Sequence, residues 1–213
     1  MSAPTVACVM LANGRPEMVA RAVKSFRAQT YESRELIQYD NHGEASIGFM
    51  RNGANWKTKC DIICHWDSDD WSHPNRIAEQ VALLQSSGAE CVGYNEMLFW
   101  ESAWVGRNFN DGLAWLYRSQ LPNYALGTSM CYWRKTWERF PFADRNEFCD
   151  DLYWFNGDKQ KGLARVIIQS AAAGQMMIAS IHGGNTCAAI KPGTTEWTRV
   201  PEWDEYCRGA MQL

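Results

Sequence analysis

The chain has 213 residues, 46% of them hydrophobic and 21% charged, with a formal net charge of −3. That length carries one medium-sized domain with a substantial core, and the balance excludes a disordered or fibrous chain. The mild negative charge gives no global attraction to nucleic acid or to an anionic membrane.

The N-terminus, Met-Ser-Ala-Pro-Thr-Val, has no basic segment followed by an apolar stretch, and no run approaches about 18 consecutive apolar residues. Neither a signal peptide nor a transmembrane helix is expected, and a cytoplasmic location is. Eight cysteines are scattered along the chain. Cys60 and Cys64 lack a second Cys/His pair at zinc-ligand spacing, so reduced, buried thiols are expected rather than a zinc site. The eleven tryptophans either enlarge the core or line a sugar-stacking groove.

In chain order, residues 5–11 form a short apolar run rich in β-formers, which ends at Ala12-Asn13-Gly14-Arg15-Pro16, where Asn-Gly turn chemistry meets a Pro suited to a helix start. A helix is predicted over 16–28, with Met18, Val19, Ala22, Val23 and Phe26 on one face. A strand over 36–39 delivers Asp40-Asn41-His42-Gly43 to its carboxyl end. A helix over 46–56 and a strand over 61–66 follow, and Asp67-Ser68-Asp69-Asp70 leaves that strand before a helix over 75–86. Strands separated by helices imply crossover connections and a mainly parallel sheet, an α/β fold.

Beyond Cys91 the pattern shortens. Strands are predicted over 91–99, 125–133, 164–168 and 176–181, with helices over 135–139 and 150–156, and the segment 191–213 reads as a loop and short helix packed over the site. One domain, 1–213, is expected: a first half to about residue 95, a more irregular second half to about 190, and the tail.

Three carboxylates placed directly after an apolar strand repel one another unless something binds them. A hard divalent cation, Mn²⁺ or Mg²⁺, offsets that repulsion and in turn holds a diphosphate; a solvated, helix-capping acidic loop is the plainer reading of the same residues. The acidic pair Asp150-Asp151 at the start of an apolar run reads either as a helix cap or as a source of general-base catalysis. His182 ends an apolar strand before Gly183 and Gly184. As a neutral imidazole it suits a metal shell or a diphosphate, although a lone His more often is not a ligand. His42, His65 and His73 are taken as structural. Phe99, Trp100, Trp104, Trp115, Tyr117, Tyr124, Trp133 and Trp154 make an aromatic middle that builds core or stacks an acceptor sugar.

The succession Arg51-Asn52-Gly53-Ala54, the apolar run to Trp66, and Asp67-Ser68-Asp69-Asp70 resembles the Arg-Asn-x-Gly, strand, Asp-x-Asp-Asp order of family 2 glycosyltransferases. The pieces Val6 to Asn13, Arg15-Pro16, Ser25-Phe26, Ala28-Gln29-Thr30-Tyr31, Glu35-Leu36-Ile37 and Asp40 extend that resemblance over about residues 5–86. The resemblance implies a GT-A Rossmann-like fold whose first half binds a nucleotide diphosphate sugar and whose second half faces the acceptor. It implies a metal-dependent, inverting hexosyltransferase using Mn²⁺ or Mg²⁺.

By that resemblance Asn13 and the pair Asp40-Asn41 hold the nucleobase, with uridine expected, although the family usually has an aromatic at the Asn13 position and often a second Asp at the Asn41 position. Arg51 is placed near the base or diphosphate, where a planar multi-donor cation suits an anion; a surface salt bridge is its plain alternative. Asp69 is implied as the direct metal ligand, Asp67 lies on the ribose or metal, and Asp70 supports the pair. Asp151 matches the catalytic base with Asp150 as the fallback, and His182 falls in the family's late His-x-x-Asn-like segment.

Two other readings stand beside this one. A nucleotidyltransferase also uses such a sheet, but the chain has no Gly-rich phosphate loop containing Arg or Lys near its start. A non-catalytic nucleotide- or carbohydrate-binding module would keep the fold without turnover. The acceptor hydroxyl is open among a glycan, a small molecule, a protein and a modified nucleic acid.

Overall fold

The structure is a computed structural model, and it describes residues 3–12, 14–40, 45–102, 112–121, 124–146, 166–170, 175–183, 185 and 192–212. Chain order runs β1 (Val6–Ala12), α1 (Pro16–Arg27), β2 (Arg34–Asp40), α2 (Ile47–Trp56), β3 (Ile62–His65), β4 (Trp71–Ser72), α3 (Arg76–Ser87) and β5 (Cys91–Glu101). It continues with β6 (Leu113–Arg118), β7 (Cys131–Trp133), α4 (Arg134–Arg139), β8 (Val166–Ser170), β9 (Met177–Ile181), β10 (Trp197–Arg199) and α5 (Asp204–Met211).

The sheet runs β10-β6-β5-β7-β3-β1-β2. Its first-half strands are parallel: β1 pairs with β2, setting Ala12 beside Asp40, and with β3, setting Val9 beside His65. The carboxyl ends of these three strands therefore share one edge. Antiparallel pairing enters at β7 and continues through β5, β6 and β10, while β8 and β9 run parallel to β5. The expected α/β class with helices flanking a central sheet is the one observed.

Helices cover both faces of the parallel part, and the burial of β1 and β3 records it. Val6, Cys8 and Met10 pack with Ile62 and Cys64 against Ala22 of α1 and Ile77, Val81 and Leu84 of α3. On the opposite face Val9 and Ile63 meet Ala54 of α2 and Trp137 of α4. A strand covered on both sides needs apolar residues at every position, which is why these segments read as continuous apolar runs.

Local chemistry sets the helix ends. Pro16 opens α1, where its missing N–H costs nothing. Ser46 caps α2 by accepting from the Phe49 N–H at 3.1 Å. Gly88 closes α3 at φ 65°, a left-handed conformation that Gly adopts without steric cost.

The structure departs from the sequence expectation in the segment before β7 and in three strands. The strand expected over 125–133 is interrupted by a 3₁₀ turn at Gly127–Ser129, and only Cys131–Trp133 joins the ladder with β3. The Ser129 hydroxyl, bonded to Leu126 O at 2.7 Å and to Tyr94 N at 2.8 Å, offers the backbone a turn in place of a ladder. The strands β4, β6 and β10 were not foreseen. The helix expected over 150–156 lies outside the described residues.

Most of the described aromatic residues lie in the core or pack, partly buried, against it. Trp66, Trp100 and Trp137 are wholly buried, whereas Trp56 is 64% exposed; Trp104 and Trp154 lie outside the described residues. The tail helix α5 inserts Cys207, Ala210 and Met211 against Leu98, Trp100, Ala114 and Ile178, so it is built into the core.

Candidate functional site

The loop that leaves β3, Asp67 to Asp70, emerges at the carboxyl edge of the parallel strands, where ligands bind in open α/β sheets. Its three carboxylates are handled in three different ways. Asp67 keeps 29% of its side chain exposed and pairs at 2.5 Å with Arg51 Nη2. Arg51 comes from α2, is 4% exposed and also donates to Val9 O at 3.4 Å, so the pair is not a surface salt bridge. Burial acts to raise the Asp67 carboxyl, but the Arg51 charge and hydrogen bond outweigh it and hold the group below the usual carboxylate range.

Asp70 points inward. Thr128 Oγ1 donates to its Oδ2 at 2.5 Å and the Ser180 N–H to its Oδ1 at 3.0 Å. Burial, with the negative charges of Asp69 and Asp67 beside it, pushes this carboxyl well above the ordinary carboxylate range. Asp70 thus ties the loop to β9 and to the turn before β7.

Asp69 is held at its backbone and presented at its side chain. Its carbonyl accepts from Arg21 Nη2 and from Ser180 Oγ, and Arg21 also donates to Met211 O at 3.2 Å, so α5 reaches the acidic loop from behind. Its carboxylate Oδ2 lies 2.9 Å from His182 Nε2 and 3.5 Å from Arg15 Nη2. Arg15 Nη1 stands 2.8 Å from the same His182 nitrogen.

His182 follows β9 and is 4% exposed. Asn185 secures its turn: Asn185 Oδ1 accepts from the His182 N–H at 2.6 Å, and its Nδ2 donates to Ser180 O at 3.0 Å. This is the physical content of the His-x-x-Asn spacing.

The Arg51-Asn52-Gly53 run likewise resolves into separate roles. Asn52 Oδ1 accepts from Trp137 Nε1 at 2.8 Å and from Phe142 N at 3.0 Å, while its Nδ2 donates to Phe142 O at 2.9 Å, pinning α2 to α4 and the segment beyond it. A Cβ on Gly53 would meet the Tyr39 hydroxyl at 2.7 Å, so glycine lets that ring lie against α2. His65 is wholly buried between Gly127 O and the Tyr132 hydroxyl, and burial lowers its pKa well below the usual imidazole value. It is structural.

Asp40 ends β2 on the same sheet edge, exposed, with Gln38 Nε2 donating to its Oδ1 at 3.2 Å. Asn13, Asn41, Asp150 and Asp151 lie outside the described residues. Among the described residues no group of three His, Cys, Asp or Glu side chains is placed to hold a metal. The pair Asp69 Oδ2 and His182 Nε2 nevertheless suits one: adjacent ligands of an octahedral ion with bonds of about 2.1 Å stand about 3 Å apart, and such ions commonly take few protein donors with water and phosphate completing the shell. Arg15 and Thr128 were given no role from sequence, and Arg21 and Ser180 were not singled out, because nothing local marks what they meet.

No protein-family model matches the chain, and no curated protein matches it in sequence. Its fold matches solved structures. Residues 1-349 of S. aureus TarS in complex with UDP-GlcNAc align with a TM-score of 0.62 at 11% identity, over 88% of this chain and 61% of that one. Another S. aureus TarS structure gives 0.59 at 11% identity, over 83% of this chain and 37% of that one. The mannosyltransferase PcManGT from Pyrobaculum calidifontis, in complex with GDP-Man and Mn²⁺, gives 0.58 at 12% identity, over 84% of this chain and 57% of that one. The chain spans less than two thirds of the length of each, and what it shares with them is the GT-A-like mixed α/β fold. No helix among the described residues is long and apolar enough to cross a membrane.

Proposed function

We propose that this chain transfers a hexose from a nucleotide diphosphate sugar, a UDP-sugar by preference, to an acceptor hydroxyl. The observation that carries the reading is the convergence of Asp69, His182 and Arg15 beside the Arg51–Asp67 pair, on the sheet edge that also carries Asp40. The fold shared with structures that hold UDP-GlcNAc or GDP-Man with Mn²⁺ supports it.

In this reading Asp40, with Asn13 and Asn41, holds the base and Asp67 the ribose or metal. Asp69 and His182 are the protein ligands of Mn²⁺ or Mg²⁺, which, when bound, neutralises charge on the departing diphosphate. Arg51 sets the charge and position of Asp67, and Arg21 with Ser180 fixes the backbone from which Asp69 projects. Asp151, or Asp150 in its place, accepts the proton of the acceptor hydroxyl as that oxygen attacks the anomeric carbon. The bond from that carbon to the diphosphate oxygen breaks, and the nucleoside diphosphate leaves with the electron pair. A single displacement inverts the anomeric configuration.

The test is calorimetric titration of the purified chain with nucleoside diphosphates and sugar nucleotides, with Mn²⁺ and then with chelator, followed by assay for released nucleoside diphosphate. Selective, metal-dependent binding with turnover supports the proposal. Binding without any release of sugar leaves a non-catalytic nucleotide-binding module, and no binding across the panel overturns the reading.

A further inference from the structure

Arg15 faces two electron-rich atoms at once. Its Nη1 is 2.8 Å from His182 Nε2 and its Nη2 is 3.5 Å from Asp69 Oδ2, which are themselves 2.9 Å apart. The same Nη1 is 3.3 Å from His182 Nδ1, so the guanidinium lies over the face of the imidazole, while Nε2 is placed to donate to Asp69 Oδ2. The Arg15 charge thus lies against both the carboxylate and the imidazole. The same carboxylate oxygen and an imidazole nitrogen are donors that a hard divalent ion takes.

We infer that Arg15 is a tethered counter-ion that occupies the Asp69–His182 pair in the metal-free protein and competes with the divalent cation for it. The inference rests on the proposed metal-binding role of that pair and adds to it a residue that sets the affinity. Three features of the local structure make the exchange feasible. Arg15 lies in the loop between β1 and α1 and keeps 26% side-chain exposure, so its guanidinium can withdraw towards solvent. The Asp69 backbone is held by Arg21 and Ser180, and the His182 turn by Asn185, so both donor atoms stay in place when Arg15 leaves. Arg51 already neutralises Asp67, so Arg15 is directed to the Asp69 side of the loop. Metal loading and release of Arg15 are then one coupled event.

The experiment is a Mn²⁺ titration of the full chain without nucleotide, followed by the electron paramagnetic resonance signal of free Mn²⁺, for wild type, Arg15→Gln and Arg15→Lys. Losing a charge-assisted contact to the donor pair is expected to make Arg15→Gln bind Mn²⁺ about tenfold or more tightly than wild type, with Arg15→Lys between them. Arg15→Lys keeps the charge without the fork and carries the test if Arg15→Gln fails to fold, as judged by far-UV circular dichroism. Equal or weaker Mn²⁺ binding by the variants overturns the inference while leaving the metal site standing. Absence of Mn²⁺ binding in wild type and variants alike, with and without UDP, overturns both the inference and the metal-dependent reading.

Discussion

His182 Nε2 lies 2.9 Å from Asp69 Oδ2 although the two residues are 113 positions apart. The contact exists because β4, just after the acidic loop, pairs with β9, just before His182, with Trp71 opposite Ile178. A two-residue strand therefore carries the register that builds the site.

Asp69→Ala removes one donor atom but leaves the Asp69 carbonyl, where Arg21 and Ser180 hold the loop. The variant is expected to fold normally and to lose Mn²⁺-dependent nucleotide binding by at least about tenfold, read by calorimetry with and without chelator. Unchanged metal-dependent binding would place the ligand elsewhere.

Arg51→Ala leaves Asp67 beside Asp69 and Asp70 without its counter-charge. Because Arg51 is 4% exposed, the expected cost is about 3 kcal/mol in urea denaturation at neutral pH. The double variant Arg51→Ala/Asp67→Ala should cost less than the two single variants added together, since it removes the orphaned charge as well. Strict additivity would show that the pair is not coupled.

Gly112 sits against the indole of Trp100: a Cβ there would lie 2.3 Å from the ring, and Trp100 is wholly buried. Gly112→Ala is expected to destabilise the protein by about 1–3 kcal/mol, seen as a lower denaturation midpoint. A midpoint equal to wild type would mean that Trp100 repacks freely.

Asp151→Asn separates binding from chemistry. It is expected to keep nucleotide-sugar affinity and to lose turnover by about a hundredfold or more. A fully active Asp151→Asn transfers the base assignment to Asp150, whose Asn variant would then be the inactive one.

The elements of the first half are the most legible in the sequence. The strands β1 and β3 each bury a continuous apolar run and the helices α1 to α3 a helical stripe, and such patterns are written in neighbouring residues. The turn at Gly127–Ser129 and the strands β4, β6 and β10 were not legible. Trp71-Ser72 and Trp197–Arg199 are too short to show a period, and their strand character comes from partners distant in the chain.

The site divides along the same line. By itself the sequence determined that three carboxylates follow a buried strand, that a histidine ends another apolar strand, and that an Arg-Asn-x-Gly run precedes the acidic loop. The order of residue types along one chain is enough for that. Only the tertiary structure decided what each group meets: Asp67 takes Arg51, Asp70 turns inward to Thr128 and Ser180, and Asp69 shares a cation with His182. Arg15, Arg21 and Asn185 gain their roles in the same way, because a polar side chain's partner depends on which strands the sheet brings together, and that pairing is set by burial across the whole core rather than by adjacent residues.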